Sequence, residues 1–198
     1  QRSSNREGTG YPGLYNGDVN SAKESLIETL MLLEPPAPLL DKYQRSHLLL
    51  PQRLNQKFWK RVGIINEAMH SEVFDSVNQL LVSSTDINMR LNSLPRAVTN
   101  TTISPQYIYE RKDGSLVALH WEGWVIEPLG AGFPTRENEL NKMSNNICKA
   151  ANVRNACKAV EISDIHLSAL MFSFENRIKR CQFSLAFELV PDILQCIK

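Results

Sequence analysis

Eight apolar residues, Leu54, Phe58, Val62, Ile65, Met69, Val73, Val77 and Leu80, recur along this chain at intervals of three and four. An α-helix turns once every ~3.6 residues, so this spacing lines all eight along one face. An apolar face of that length has to be covered, which commits the chain to a layered, packed fold. The stripe predicts a single long amphipathic helix over residues 52–83. Gly63 falls inside it and weakens it by about 1 kcal/mol relative to alanine without ending it. Lys57, Lys60, Arg61, Glu67, Glu72 and Asp75 lie off the stripe, as solvent-facing charges should. Trp59, Ile64, Ala68, Phe74 and Leu81 also lie off it, and they widen the apolar surface enough for two sides of the helix to be covered.

Upstream, Ser21 and Glu24 have the spacing of a capping box, and Leu26, Ile27, Leu30, Met31 and Leu33 form a second helical stripe. Pro35, Pro36 and Pro38 stop it, because proline removes a backbone donor and crowds the preceding turn. Residues 1–20 carry Gly8, Gly10, Pro12, Gly13 and Gly17 and read as a flexible arm, with Tyr11, Leu14 and Tyr15 available to dock it. Residues 39–51 read as a connector. A short helix is expected over 86–94, stopped by Pro95.

Beyond residue 95 the pattern changes. Residues 107–110 and 116–121 are rich in aromatic and β-branched side chains and are joined through Asp113-Gly114, a strong hairpin signal. Residues 124–127 read as a third strand, closed by Pro128, Gly130, Gly132 and Pro134. Residues 135–156 return to helix, with Thr135 as cap. In the C-terminal quarter, Cys181, Phe183, Leu185, Phe187 and Leu189 alternate with smaller or polar residues, which is the period of a half-buried strand. Residues 162–174 read as its partner across a turn at 175–179, with a helix as the alternative. The expected fold is α+β: N-terminal helices (21–95), one of them long and amphipathic, packed on an antiparallel sheet of about five strands with one intervening helix (96–198). Residues 21–198 are thus expected to form one domain.

With 42% hydrophobic and 22% charged residues, the chain has the balance of a globular domain, not that of a disordered segment. Its 22 basic and 21 acidic residues leave a net charge of +1. No global field draws in nucleic acid or anionic lipid, so either would need a local patch. No apolar run approaches the roughly 18–20 residues of a membrane span. The sequence opens on Gln1, as an excerpt or a processed chain would. Cys148, Cys157, Cys181 and Cys196 form no C-x-x-C pair. Their even number and the sequon at Asn100 allow a disulfide-bonded secreted chain. The places of two of them in apolar periodic patterns favour free cysteines in an intracellular chain, cytoplasmic or nuclear.

Motifs that carry a mechanism are missing: there is no Gly-rich phosphate loop behind a strand, no G-x-S-x-G elbow and no H-E-x-x-H pair. A metal site from His120, His166 and Cys181 is conceivable if all three sit on adjacent strands. Cys148 or Cys157 beside His166 would make a nucleophilic pair, but buried structural cysteine is the better reading. Glu122 and Glu127 flank Trp121 and Trp124 in the manner of a sugar-cleaving site, against which core packing of the tryptophans is the simpler account. No metal, cofactor or catalytic residue is therefore expected.

What remains concerns surfaces. Trp59, Ile64, Phe74 and Leu81, with Tyr11 and Tyr15 of the arm, are the expected anchors for another protein subunit or for self-association. The expected function is a non-catalytic interaction module within a larger assembly. Two alternatives stand beside it. One is an enzyme whose site is assembled from distant residues. The other is a nucleic-acid-associated protein using Lys57, Lys60 and Arg61 together with Arg177, Lys179 and Arg180.

Overall fold

The computed structural model describes residues 13–14, 49–69, 72–100, 108–118, 124–133, 135 and 160–198. The expected helix near residues 21–33, most of that at 135–156, and Tyr11 and Tyr15 lie outside them. Among the described residues, in chain order, β1 (Gly13–Leu14) precedes four helices, α1 (Leu50–Arg53), α2 (Gln56–Met69), α3 (Phe74–Val82) and α4 (Ser84–Ser93). Then come β2 (Arg96–Asn100), β3 (Ile108–Glu110), β4 (Leu116–Ala118) and β5 (Trp124–Pro128). Three helices close the chain: α5 (Ile162–Lys179), α6 (Phe183–Phe187) and α7 (Val190–Cys196).

The expected five-stranded sheet does not form. The described strands make two small antiparallel sheets, one ordered β1-β3-β4 and one pairing β2 with β5. The Asp113-Gly114 hairpin stands as expected: the Gly114 amide donates to the Arg111 carbonyl at 2.9 Å, and Gly114 takes a φ of +79°. Asp113 Oδ1 accepts from the Ser115 amide and hydroxyl, and these bonds hold its carboxyl below the usual range. Within the expected arm, Leu14 pairs with Tyr109, so β3 gains a second neighbour. Residues 96–100, which carry no strand signal of their own, pair with β5 from Arg96 opposite Pro128 to Asn100 opposite Trp124.

The two strands expected in the C-terminal quarter are helices. α5 is buried on nearly every side, with Ile165, Leu167, Leu170, Met171 and Phe174 all closed to solvent. A helix covered all round shows no one-sided stripe, and a short apolar run of that kind reads equally as a buried strand. At residues 181–189 burial does not alternate, and Cys181, the first of the expected inward residues, is exposed. Ala186 is fully buried while Leu185 is 45% exposed, the reverse of what a strand requires. The inward residues Ala186, Phe187, Val190 and Ile193 follow helical spacing instead. Pro191 does not end a strand; it lies in the first turn of α7, where its missing N–H has no partner to lose.

The long helix over 52–83 is divided too. Asn55 Oδ1 accepts from the amides of Lys57 at 3.0 Å and Phe58 at 3.2 Å, which caps and restarts the helix as α2. Residues 72–73 form a turn, and α3 packs back on α2. Buried Asn66 ties the two together, donating to the Phe74 carbonyl at 3.3 Å. Every member of the eight-residue stripe still faces the core or packs against it, from α2, α3 and the residues that flank them where the sequence suggests one helix. The expected helix at 86–94 is α4.

α5 is the centre of the packing, against α4, α6 and α7, and α7 packs in turn on α3. The turn after β5 comes close to α5. A Cβ on Gly130, whose φ is +100°, would lie 2.3 Å from the Ile165 carbonyl oxygen, so only glycine fits there. No described helix is long and apolar enough to cross a membrane.

Candidate functional site

The most concentrated chemistry in the described residues is a buried ionic cluster. Arg53, at the end of α1, places its guanidinium between two carboxylates, each with its side chain only 1% exposed. Nη1 lies 2.5 Å from Glu127 Oε1 of β5, and Nε donates to Glu175 Oε1 and Oε2 of α5 at 3.0 and 3.1 Å. Glu127 Oε2 accepts from the Leu50 amide at 2.7 Å, and Lys179 Nζ lies 2.6 Å from Glu175 Oε1. Burial pushes the Glu127 carboxyl above its ordinary range, against the opposing pull of Arg53 and the Leu50 amide. Burial alone would lower the Arg53 pKa, but the two carboxylates outweigh it and hold the guanidinium more firmly protonated than usual.

A carboxylate closed to solvent and bound on both oxygens has no face to offer a substrate. The cluster is a staple joining α1, β5 and α5, and Glu127 belongs to it, not to a sugar-cleaving pair. Glu122 lies outside the described residues. A second staple works alongside. Arg90 of α4 donates through Nε to Asp164 Oδ1 at 2.7 Å and through Nη1 to the Cys196 carbonyl at 2.7 Å. It thereby binds the acidic first turn of α5 and the carbonyl end of α7, the termini whose dipoles suit each partner.

The residues named for a metal or a nucleophilic pair are not brought together. His166 sits on α5, and Cys181 lies just past its end, about 20 Å away at the helical rise. His166 Nε2 donates to the Thr135 carbonyl at 2.8 Å. His120, Cys148 and Cys157 lie outside the described residues. A cleft of about 500 Å³ runs beside α5 and α7, lined by His166, Arg177, Glu188, Asp192 and Cys196 among others. Its walls carry both signs of charge, with no set converging on one point that would specify a ligand.

The outer face of the first helices is different in kind. Lys57, Lys60, Arg61 and Ile64 of α2 are all exposed, at the i, i+3, i+4, i+7 spacing of one helical face. The side-chain cationic groups of the three make no hydrogen bond or ion pair among the described residues. Ile64 is 58% exposed, Phe74 39%, Val82 85% and Met89 63%, so α2, α3 and α4 each present apolar side chains to water. Leu81 is half-buried against the core, with its Cδ1 3.6 Å from the position a Cβ on Gly63 would take.

Trp59 breaks from the expected set. It is 8% exposed and stands edge-on to Phe58 with ring centroids 5.2 Å apart, while its indole N–H finds no partner among the described residues. Trp59, Val62 and Asn66 form the innermost line of α2, at intervals of three and four.

The second basic cluster serves the fold. Lys179 pairs with Glu175, Arg177 Nη1 donates to the Leu185 carbonyl, and Arg180 caps the end of α5. Cations there answer the negative end of the helix dipole. The features that sequence reading passes over are the two arginine staples. Arg53 meets Glu127 and Glu175 across 74 and 122 residues, and no local spacing announces such a pairing. Compared with models of protein families, with curated proteins and with solved structures, the chain has no match in any of the three.

Proposed function

We propose that the chain is a protein–protein interaction module whose working surface is the outside of α2, α3 and α4. The observation that carries this reading is the exposure there of Ile64, Phe74, Val82 and Met89, on three successive helices. Each apolar side chain left in water forgoes about 25 cal/mol for every Å² it could bury. The core is closed beneath these helices by their own inward residues, so a second protein is the natural cover. Trp59 supports the scaffold of this surface from within and is not one of its anchors.

Val82 and Met89 test the reading because neither contributes to the core. Val82→Asp and Met89→Asp should each leave the unfolding free energy within about 0.5 kcal/mol of wild type, as surface substitutions do. Both should weaken co-purification of the chain with its assembly or with a second copy of itself. Complexes that form undiminished with both variants would contradict the placement of the surface. A wild-type chain that remains a solitary monomer under every purification condition would contradict the reading itself.

A further inference from the structure

We infer that the outer face of α2 docks an acidic protein segment that carries an apolar residue beside its carboxylates. The inference rests on the interaction reading above and supplies the chemistry of the partner. Lys57, Lys60 and Arg61 stand within one and a half turns of each other, and Ile64 follows on the same face, the whole spanning about 10 Å. Like charges one turn apart repel, and no carboxylate among the described residues relieves these three. The one acidic residue of α2, Glu67, is exposed one turn beyond Ile64, about 9 Å along the axis from Arg61, and pairs with none of the three cations. Next to this unrelieved charge, Ile64 is 58% exposed. A segment with carboxylates three and four residues apart and a leucine or valine one turn further on would meet both features at once.

Nucleic acid answers them less well. Binding a single strand uses an aromatic platform for stacking, and Trp59, between Lys57 and Lys60 in sequence, is only 8% exposed. Phe58 is packed against the core as well. The other basic cluster is engaged through Lys179 with Glu175 and through Arg177 with Leu185. Ile64 offers nothing to a phosphate.

The test is binding of the full chain to a labelled helical peptide with glutamates at i, i+3 and i+4 and leucine at i+7, followed by fluorescence anisotropy at low and physiological salt. Wild type should bind, more weakly as salt rises. Lys57→Glu/Lys60→Glu/Arg61→Glu should weaken binding at least about tenfold and flatten its salt dependence. Ile64→Ser should weaken it about threefold or more while leaving the salt dependence in place. Thermal melts accompany each variant, and Lys57→Gln/Lys60→Gln/Arg61→Gln replaces the charge reversal if that variant melts early. No binding at low salt, indifference to Ile64→Ser, or tighter binding of a single-stranded oligonucleotide would each overturn the inference. Complexes that survive the charge reversal but are lost in Val82→Asp would refute the acidic partner and leave the interaction reading standing. Loss in both variants supports the two together.

Discussion

Cys181 adopts a φ of +58°, the only non-glycine residue among those described to do so. It ends α5 in the manner of a Schellman motif: the Gln182 amide donates to the Arg177 carbonyl at 2.9 Å and the Cys181 amide to the Ile178 carbonyl at 3.1 Å. Glycine is the usual occupant of that position because a Cβ there meets the neighbouring carbonyl. Cys181→Gly should therefore stabilise the chain by about 0.5–1 kcal/mol, read as a raised urea midpoint. A lowered midpoint would mean that the exposed thiol makes a contact worth more than the strain. Glu127 offers a test of a different kind. Burial raises its pKa in the folded chain above the ordinary 4.5, so the folded state holds this proton more tightly than the unfolded state. The stability it contributes is full below 4.5 and is lost as pH rises through the folded value. Glu127→Gln fixes the uncharged form. The unfolding free energy of wild type relative to Glu127→Gln should thus fall as pH is raised from 4.5 toward neutrality. A difference that grows with pH would mean that Arg53 and the Leu50 amide outweigh the cost of burying the charge.

At the scale of elements, Leu185 and Phe187 separate the helical C-terminal quarter from the strand that its alternation suggests. A strand buries both side chains on one face. The helix α6 leaves Leu185 45% exposed and Phe187 2% exposed. Phe187→Ala should cost about 3–5 kcal/mol and Leu185→Ala less than about 1 kcal/mol in chemical denaturation. Equal losses would restore the strand. The comparison also indicates what the sequence makes legible. The hairpin at Asp113-Gly114 can be read because its turn chemistry is local, and the stripe from Leu54 to Leu80 because its period is. The break at Asn55 leaves a weaker trace, since one capping side chain interrupts the helix without disturbing the stripe. α5 defeats pattern reading for a physical reason: a helix covered on all sides has no solvent face to set a period. The staples at Arg53 and Arg90 join residues that only the finished packing brings together.

For the molecule as a whole, the proposed function divides the first helices into a scaffold side and a working side. A net charge of +1 gives the chain no long-range pull on a partner, so the proposed docking on α2 would have to rest on local features. The residues expected to widen the apolar surface are shared out: Trp59 turns inward, Leu81 is half-buried, and Ile64 and Phe74 remain in solvent. Trp59→Ala and Ile64→Asp, studied side by side by thermal melt and sedimentation velocity, test that division most directly. Trp59→Ala should cost about 3–5 kcal/mol of stability, as loss of a buried aromatic does. Ile64→Asp should melt with wild type and fail to assemble with its partner. The opposite pairing, a tryptophan variant that folds normally but does not assemble and an isoleucine variant that unfolds, would contradict the account.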